Sequence, residues 1–97
     1  MLQDLTPSSF SEHLNSTFRI QLGGGKSPDA ELYEVLLHEP HGGPRKQPFS
    51  VHFRGPTGAT LQQAIYRLEH ERMGPMEIFL VTIGPDEQGM RYEAVFN

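Results

Sequence analysis

The chain has 97 residues, the size of a single domain, and a formal net charge of −4 with no cysteine. That balance excludes disulfides and thiolate metal sites. It argues against nucleic-acid binding, which needs a basic face and finds here only the tight pair Arg45-Lys46. No run approaches the roughly 20 apolar residues of a membrane helix, and no charged start followed by an apolar stretch suggests a signal peptide. A cytoplasmic, membrane-free protein is therefore expected.

In "LTPSSFSEHLN", Thr6 can cap a helix, Pro7 suits its first position, and Leu5 with Phe10 has staple spacing. Ser9 with Glu12 offers an overlapping capping box. Phe10 and Leu14 would share the buried face, and Asn15 is a plausible stop. The expectation is a short helical plug.

From Thr17 the period changes to two, with Phe18, Ile20 and Leu22 opposed to Arg19 and Gln21. "GGGKS" follows, which has the ending of a phosphate-binding loop. The first glycine of that motif would have to stand where Ile20 does, and no helix follows Ser27, so a turn between strands is expected. Leu32 to Leu37 is apolar on both faces apart from Glu34, as for a strand well inside a sheet. Phe49, Val51 and Phe53 alternate with Ser50, His52 and Arg54.

"TLQQAIYRLEHERM" fits two patterns. Leu61, Ala64, Ile65 and Leu68 have helical spacing, whereas Tyr66 and Leu68 alternate with Arg67 and Glu69 as in a strand. The surrounding strands and short loops favour the strand. Next, Met76 to Ile83 places Phe79, Val81 and Ile83 on one face, taken as inward, and Ile78 and Leu80 on the other. Met90, Tyr92, Ala94 and Phe96 then alternate to the last residue, with turns at "RGPTGA" and "IGPDEQG". Residues 1–97 are thus expected to form one mainly β domain: a small antiparallel β-barrel or sandwich of about six strands with a short N-terminal helix. The last strand reads as an unprotected edge that could pair with another copy.

Chemistry is sparse. His38 and His41 flank Glu39, and His52 or His70 could complete a metal set in space, but no regular element fixes their geometry. His52 and His70 read as outward, solvated positions. Ser50 and His52 share a strand face without an orienting acid or an oxyanion hole. Neither a catalytic residue nor a cofactor or metal ligand is assigned. The aromatics read mainly as core, which leaves a barrel this small little room for a ligand. Arg54, Tyr66, His52 and His70 are the candidate partner surface. The function expected is a non-catalytic protein-binding or assembly module, with self-association as an option. A small-ligand-binding barrel and a His-dependent metalloenzyme stand behind it.

Phe49-Ser50-Val51-His52-Phe53-Arg54-Gly55-Pro56, Tyr66-Arg67-Leu68-Glu69-His70, Phe79-Leu80-Val81-Thr82-Ile83-Gly84-Pro85 and the terminal "YEAVFN" resemble the motifs of a family of small bacterial proteins of unknown function. The chain departs from it at Thr82, often proline there, and at Ala64, near a usual glycine. Members look like genomic neighbours of phage tail-collar-like proteins. The resemblance implies a free-standing domain, an accessory role in a fibre or appendage system, and a tail-collar-like protein partner. It carries no functional residues.

Overall fold

A computed structural model describes residues 5–40, 42–45 and 47–97. Helix α1 (Pro7–Ser11) is followed by β1 (Thr17–Gln21), β2 (Asp29–Leu37), β3 (Phe49–Gly55), β4 (Ala64–His70), β5 (Gly74–Asp86) and β6 (Gly89–Phe96). The strands close into an antiparallel barrel in the order β1-β2-β3-β6-β5-β4. Four hairpin neighbours come directly from chain order. Two non-local pairings, β3 with β6 and β4 with β1, complete the ring.

Local chemistry explains the elements. Thr6 caps α1, and its side chain and that of Ser9 bond each other's backbone amide, so the capping box is Thr6–Ser9 rather than Ser9–Glu12. Asn15 ends the helical segment at φ 69°, a region Asn tolerates, while Leu14 is exposed instead of sharing the face of Phe10. Gly23, Gly24 and Gly25 all have positive φ, and Leu22 donates to the Lys26 carbonyl. This is a hairpin tip leading into β2, so the phosphate-loop pattern has no helix to serve. "AIYRLEH" is a strand throughout.

Two β-bulges set which side chains face inward. In β2 the register shifts between Leu32 and Glu34, so Ala30 and Leu32 point in before the bulge and Val35 after it. Tyr33 and Glu34 both turn to the outside. In β5 the shift falls between Thr82 and Gly84. Upstream of it Ile78 and Leu80 are buried while Phe79 is half exposed, reversing the expected phase of that strand. The reason is register: Phe79 pairs with exposed Ile65, whereas Ile78 pairs with Tyr66 beside the core.

The interior is filled. Phe10 descends from α1 onto Phe18, Phe49 and Phe96, with ring centroids 6.4, 6.1 and 5.6 Å away. The Arg45 guanidinium lies over Phe49 and Phe96 and donates to the Leu5 carbonyl at 2.7 Å, sealing that mouth. At the other mouth the segment 56–63 folds over the barrel. The Thr82 hydroxyl bonds both the amide and the carbonyl of Leu61, and the Tyr92 phenol donates to the Ala59 carbonyl. Burial pushes the Tyr92 phenol above its ordinary pKa, with Tyr66 adding to the effect. Gly55 is required there, because a Cβ would stand 2.9 Å from the Tyr92 ring.

The last strand is not an edge. β6 lies between β3 and β5, and every described strand has two neighbours, so the expected free edge for templating another copy does not exist. Deleting residues 90–97 removes the buried Met90, Tyr92, Ala94 and Phe96 and opens the ring on both sides. The truncated chain is expected to lose cooperative unfolding and its β circular dichroism; a soluble truncate with an intact β spectrum contradicts this placement.

Candidate functional site

The barrel splits the four residues nominated as a partner surface into two pairs. His52 and Arg54 share the outward face of β3 beside Tyr33, whereas Tyr66 and His70 lie on the inward face of β4. His70 follows Tyr66 and Leu68 on the inward face of β4 and is 6 % exposed, not solvated. Its ring packs on Phe18 and His13, at 4.5 and 4.7 Å between centroids. Nδ1 accepts from the backbone amides of Arg72 and Met73 at 3.0 and 3.1 Å, tying the β4–β5 turn. An acceptor Nδ1 carries no proton, so Nε2 holds the hydrogen and donates to Ser16 Oγ at 2.9 Å. Ser16 in turn donates to the His13 carbonyl.

That tautomer excludes a serine nucleophile activated by His70. A general base must take the serine proton on the nitrogen facing it, and here that nitrogen is already a donor. Burial, then the neighbouring His13, hold the His70 ring below its ordinary pKa, consistent with a neutral structural histidine. The depression beside it, lined by Arg19, Glu69, His70, Glu71, Gly74 and Pro75, measures about 260 Å³, and both ring nitrogens are already engaged. Ligand sites commonly run from about 300 to 1,000 Å³ and enclose most of the ligand.

His52 is on the outward face of β3, as its alternation predicts, yet only 7 % exposed. Glu34 from β2 and Glu93 from β6 stand directly opposite it across the sheet. Nδ1 lies 2.9 Å from Glu34 Oε1 and Nε2 lies 2.9 Å from Glu93 Oε2. The Tyr33 ring, turned out by the bulge, covers one side at 6.0 Å between centroids. Ser50, two residues away on the same strand face, bonds His38 Nε2 at 2.9 Å and not His52.

Arg54 is the nominated residue with the most organised surroundings. Its guanidinium lies 4.0 Å over the Tyr33 ring and bonds both carboxylate oxygens of Asp86, with Nη2 at 2.6 Å from Oδ2. The same carboxylate accepts from the amides of Gln88 and Gly89, closing the β5–β6 turn. Arg54, followed by the Gln88 amide, holds the Asp86 carboxyl below its usual range. Arg54 is thus engaged within the barrel wall. Tyr66 is also engaged, half-buried against the core and donating to the Gln62 carbonyl at 2.7 Å. His41, invoked with His38 for a metal set, lies outside the described residues. Among those described, no three His, Asp or Glu side chains are placed to hold a metal ion.

What the outer wall does present is apolar. Ile65 is 67 % exposed, Phe79 and Val95 are each 49 %, Leu36 is 38 % and Leu37 is 63 %. Ile65 pairs directly with Phe79. Val81 pairs with Glu93, and two residues further along the two strands on the same outer face stand Phe79 and Val95. Val95 pairs with buried Ser50, and Ser50 pairs with Leu36. One row of outward positions therefore crosses β4, β5, β6, β3 and β2 with large apolar side chains on four of the five strands. Alternation alone places these residues on strands but cannot choose the outer face. The missed signal was Ile65, whose phase opposes that of Leu68.

Fold and wall together define a small closed β-barrel with a plugged interior and an apolar outer row. The chain matches a domain of unknown function, DUF6916, over residues 5–96 and belongs to that family. No curated protein and no solved structure matches it.

His70 gives a pH test. A ring held below its ordinary value favours the neutral form in the folded state, and the unfolded ring binds the proton more readily. Its contribution to stability is complete above the unfolded value, about 6.5, and shrinks as pH falls through the folded one. Thermal melts are expected to show this acid-side loss in the native protein and a smaller one in His70→Asn. An equal loss in both assigns the pH dependence elsewhere.

Proposed function

We propose that this barrel is a non-catalytic protein-binding or assembly module that docks a partner on the Leu36–Val95–Phe79–Ile65 row. The exposure of these side chains is the observation that carries the reading. Apolar residues scattered singly on a surface need no explanation, whereas Val95, Phe79 and Ile65 side by side on three neighbouring strands, with Leu36 beyond the buried Ser50, mark an interaction face. The filled interior supports contact through the wall, and the closed ring directs it to side chains instead of strand pairing. The motif resemblance to proteins encoded near tail-collar-like proteins favours an accessory partner role in a fibre or appendage system.

The test is affinity capture of the tagged protein from its native lysate, alongside the double variant Ile65→Ser, Phe79→Ser and an Arg19→Ser control. The reading expects one stoichiometric partner, retained by the control and lost at least about tenfold by the double variant, since truncating a hot-spot residue at the centre of an interface costs about 2 kcal/mol or more. Both variants should keep native unfolding cooperativity. Recovery of only the protein itself, with a dimer in native mass spectrometry that the double variant abolishes, makes a second copy the occupant. Undiminished capture by the double variant overturns the row as the docking face.

A further inference from the structure

The contacts around His52 have a definite proton requirement. An ionised carboxylate only accepts, so both 2.9 Å contacts are hydrogen bonds when both ring nitrogens carry hydrogen. With one proton fewer, one nitrogen lone pair faces a carboxylate oxygen at the same distance, and that contact becomes repulsive. We propose that Glu34–His52–Glu93 is a proton-operated latch joining β2, β3 and β6: closed with the ring doubly protonated, released at one carboxylate when the ring loses a proton.

The groups facing the ring are consistent with a self-contained device. Tyr33 and Glu34 face it from β2 and Glu93 from β6, with Arg91 one outward position beyond and opposite Arg54. On its own strand, Arg54 is directed to Asp86 and Tyr33. β5 contributes Val81, opposite Glu93. The two carboxylates are therefore the direct polar partners of the ring, and the three groups together carry −1 in the closed form and −2 in the open one. Release takes place beside the apolar row, because Leu36 and Val95 are two residues along the same outer face from Glu34 and Glu93.

Two measurements on the intact protein test the latch. Nitrogen NMR of the His52 ring reads its protonation directly, and amide exchange at Val51, Phe53 and Ala94 is read relative to Leu68 on β4, after correction for intrinsic base catalysis. The range is about pH 5.5 to 8.5, above the ordinary Glu titration. At the acidic end both nitrogens should carry protons. As the ring loses one, relative protection should fall about tenfold, the weight of one charge-assisted hydrogen bond.

The double variant Glu34→Gln, Glu93→Gln should abolish that fall, because two amides can offer one oxygen and one N–H to a neutral ring. A single-tautomer neutral ring at the acidic end overturns the latch without any variant. So does protection that ignores the ring's titration, or a fall of the same size in a folded double variant. None of these outcomes bears on whether Ile65 and Phe79 dock a partner.

Discussion

The pairing of β4 with β1 is the constraint on which the rest depends. Ile20 opposite Leu68 and Arg19 opposite Glu69 join segments nearly 50 residues apart, a contact that costs loop-closure entropy before it contributes anything. Once made, with β3–β6 on the far side, it removes both edges that a six-stranded sheet would otherwise expose. It also fixes one inner face, narrow enough for Phe10, Phe18, Phe49, Phe53 and Phe96 to fill as one cluster of rings. A plug and a lid then close the mouths with few polar anchors, those of Arg45, Thr82 and Tyr92. Deleting any one ring leaves a cavity in a core with little freedom to collapse, a class of change that costs about 3–5 kcal/mol.

Closure also explains why two histidines of similar burial play opposite parts. His70 points inward at a strand end, where unpaired turn amides need an acceptor; Nδ1 supplies it and the ring is fixed neutral. His52 points outward from the middle of β3, where both flanking strands present carboxylates and the ring is asked to donate twice. In each case the partner, through its own donor or acceptor chemistry, selects the protons the ring must carry. Burial by neighbours is what keeps water from taking over either role.

Six strands, their antiparallel pairing, the plug helix and the glycine hairpin were legible because each rests on a local rule: period-two alternation, a Thr-Pro cap, or positive φ. Inward and outward were legible in β1, β3 and β6, where alternation opposes apolar and polar residues, with Val95 of β6 the apolar exception on the outer face. They were not in β2 and β5, where a bulge at Tyr33 and another at Ile83 shift the phase inside an apolar run. Phe79 lies upstream of the second bulge, in a run apolar on both faces, and only its pairing with exposed Ile65 shows that it points outward. His70 failed differently: its parity with Leu68 was readable, but a titratable side chain was assumed to be wet. The Glu34–His52–Glu93 arrangement joins residues 18 and 41 positions apart, and only strand order brings them together.

An apolar row on a β-wall is ordinarily a liability, since Ile, Val and Phe in extended backbone are the residues that template cross-strand aggregation. That route needs unpaired backbone amides and carbonyls beside the apolar side chains. In this barrel every strand of the row has a neighbour on each side along part of its length, so no strand offers a whole free edge. Ile65 and Leu36, at the ends of the row, are each paired on one side. A partner docked as proposed at Ile65, Phe79 and Val95 would be held chiefly by shape and apolar burial on a curved wall, where side-chain fit sets the specificity. Closure is therefore what makes such exposure compatible with a specific interface.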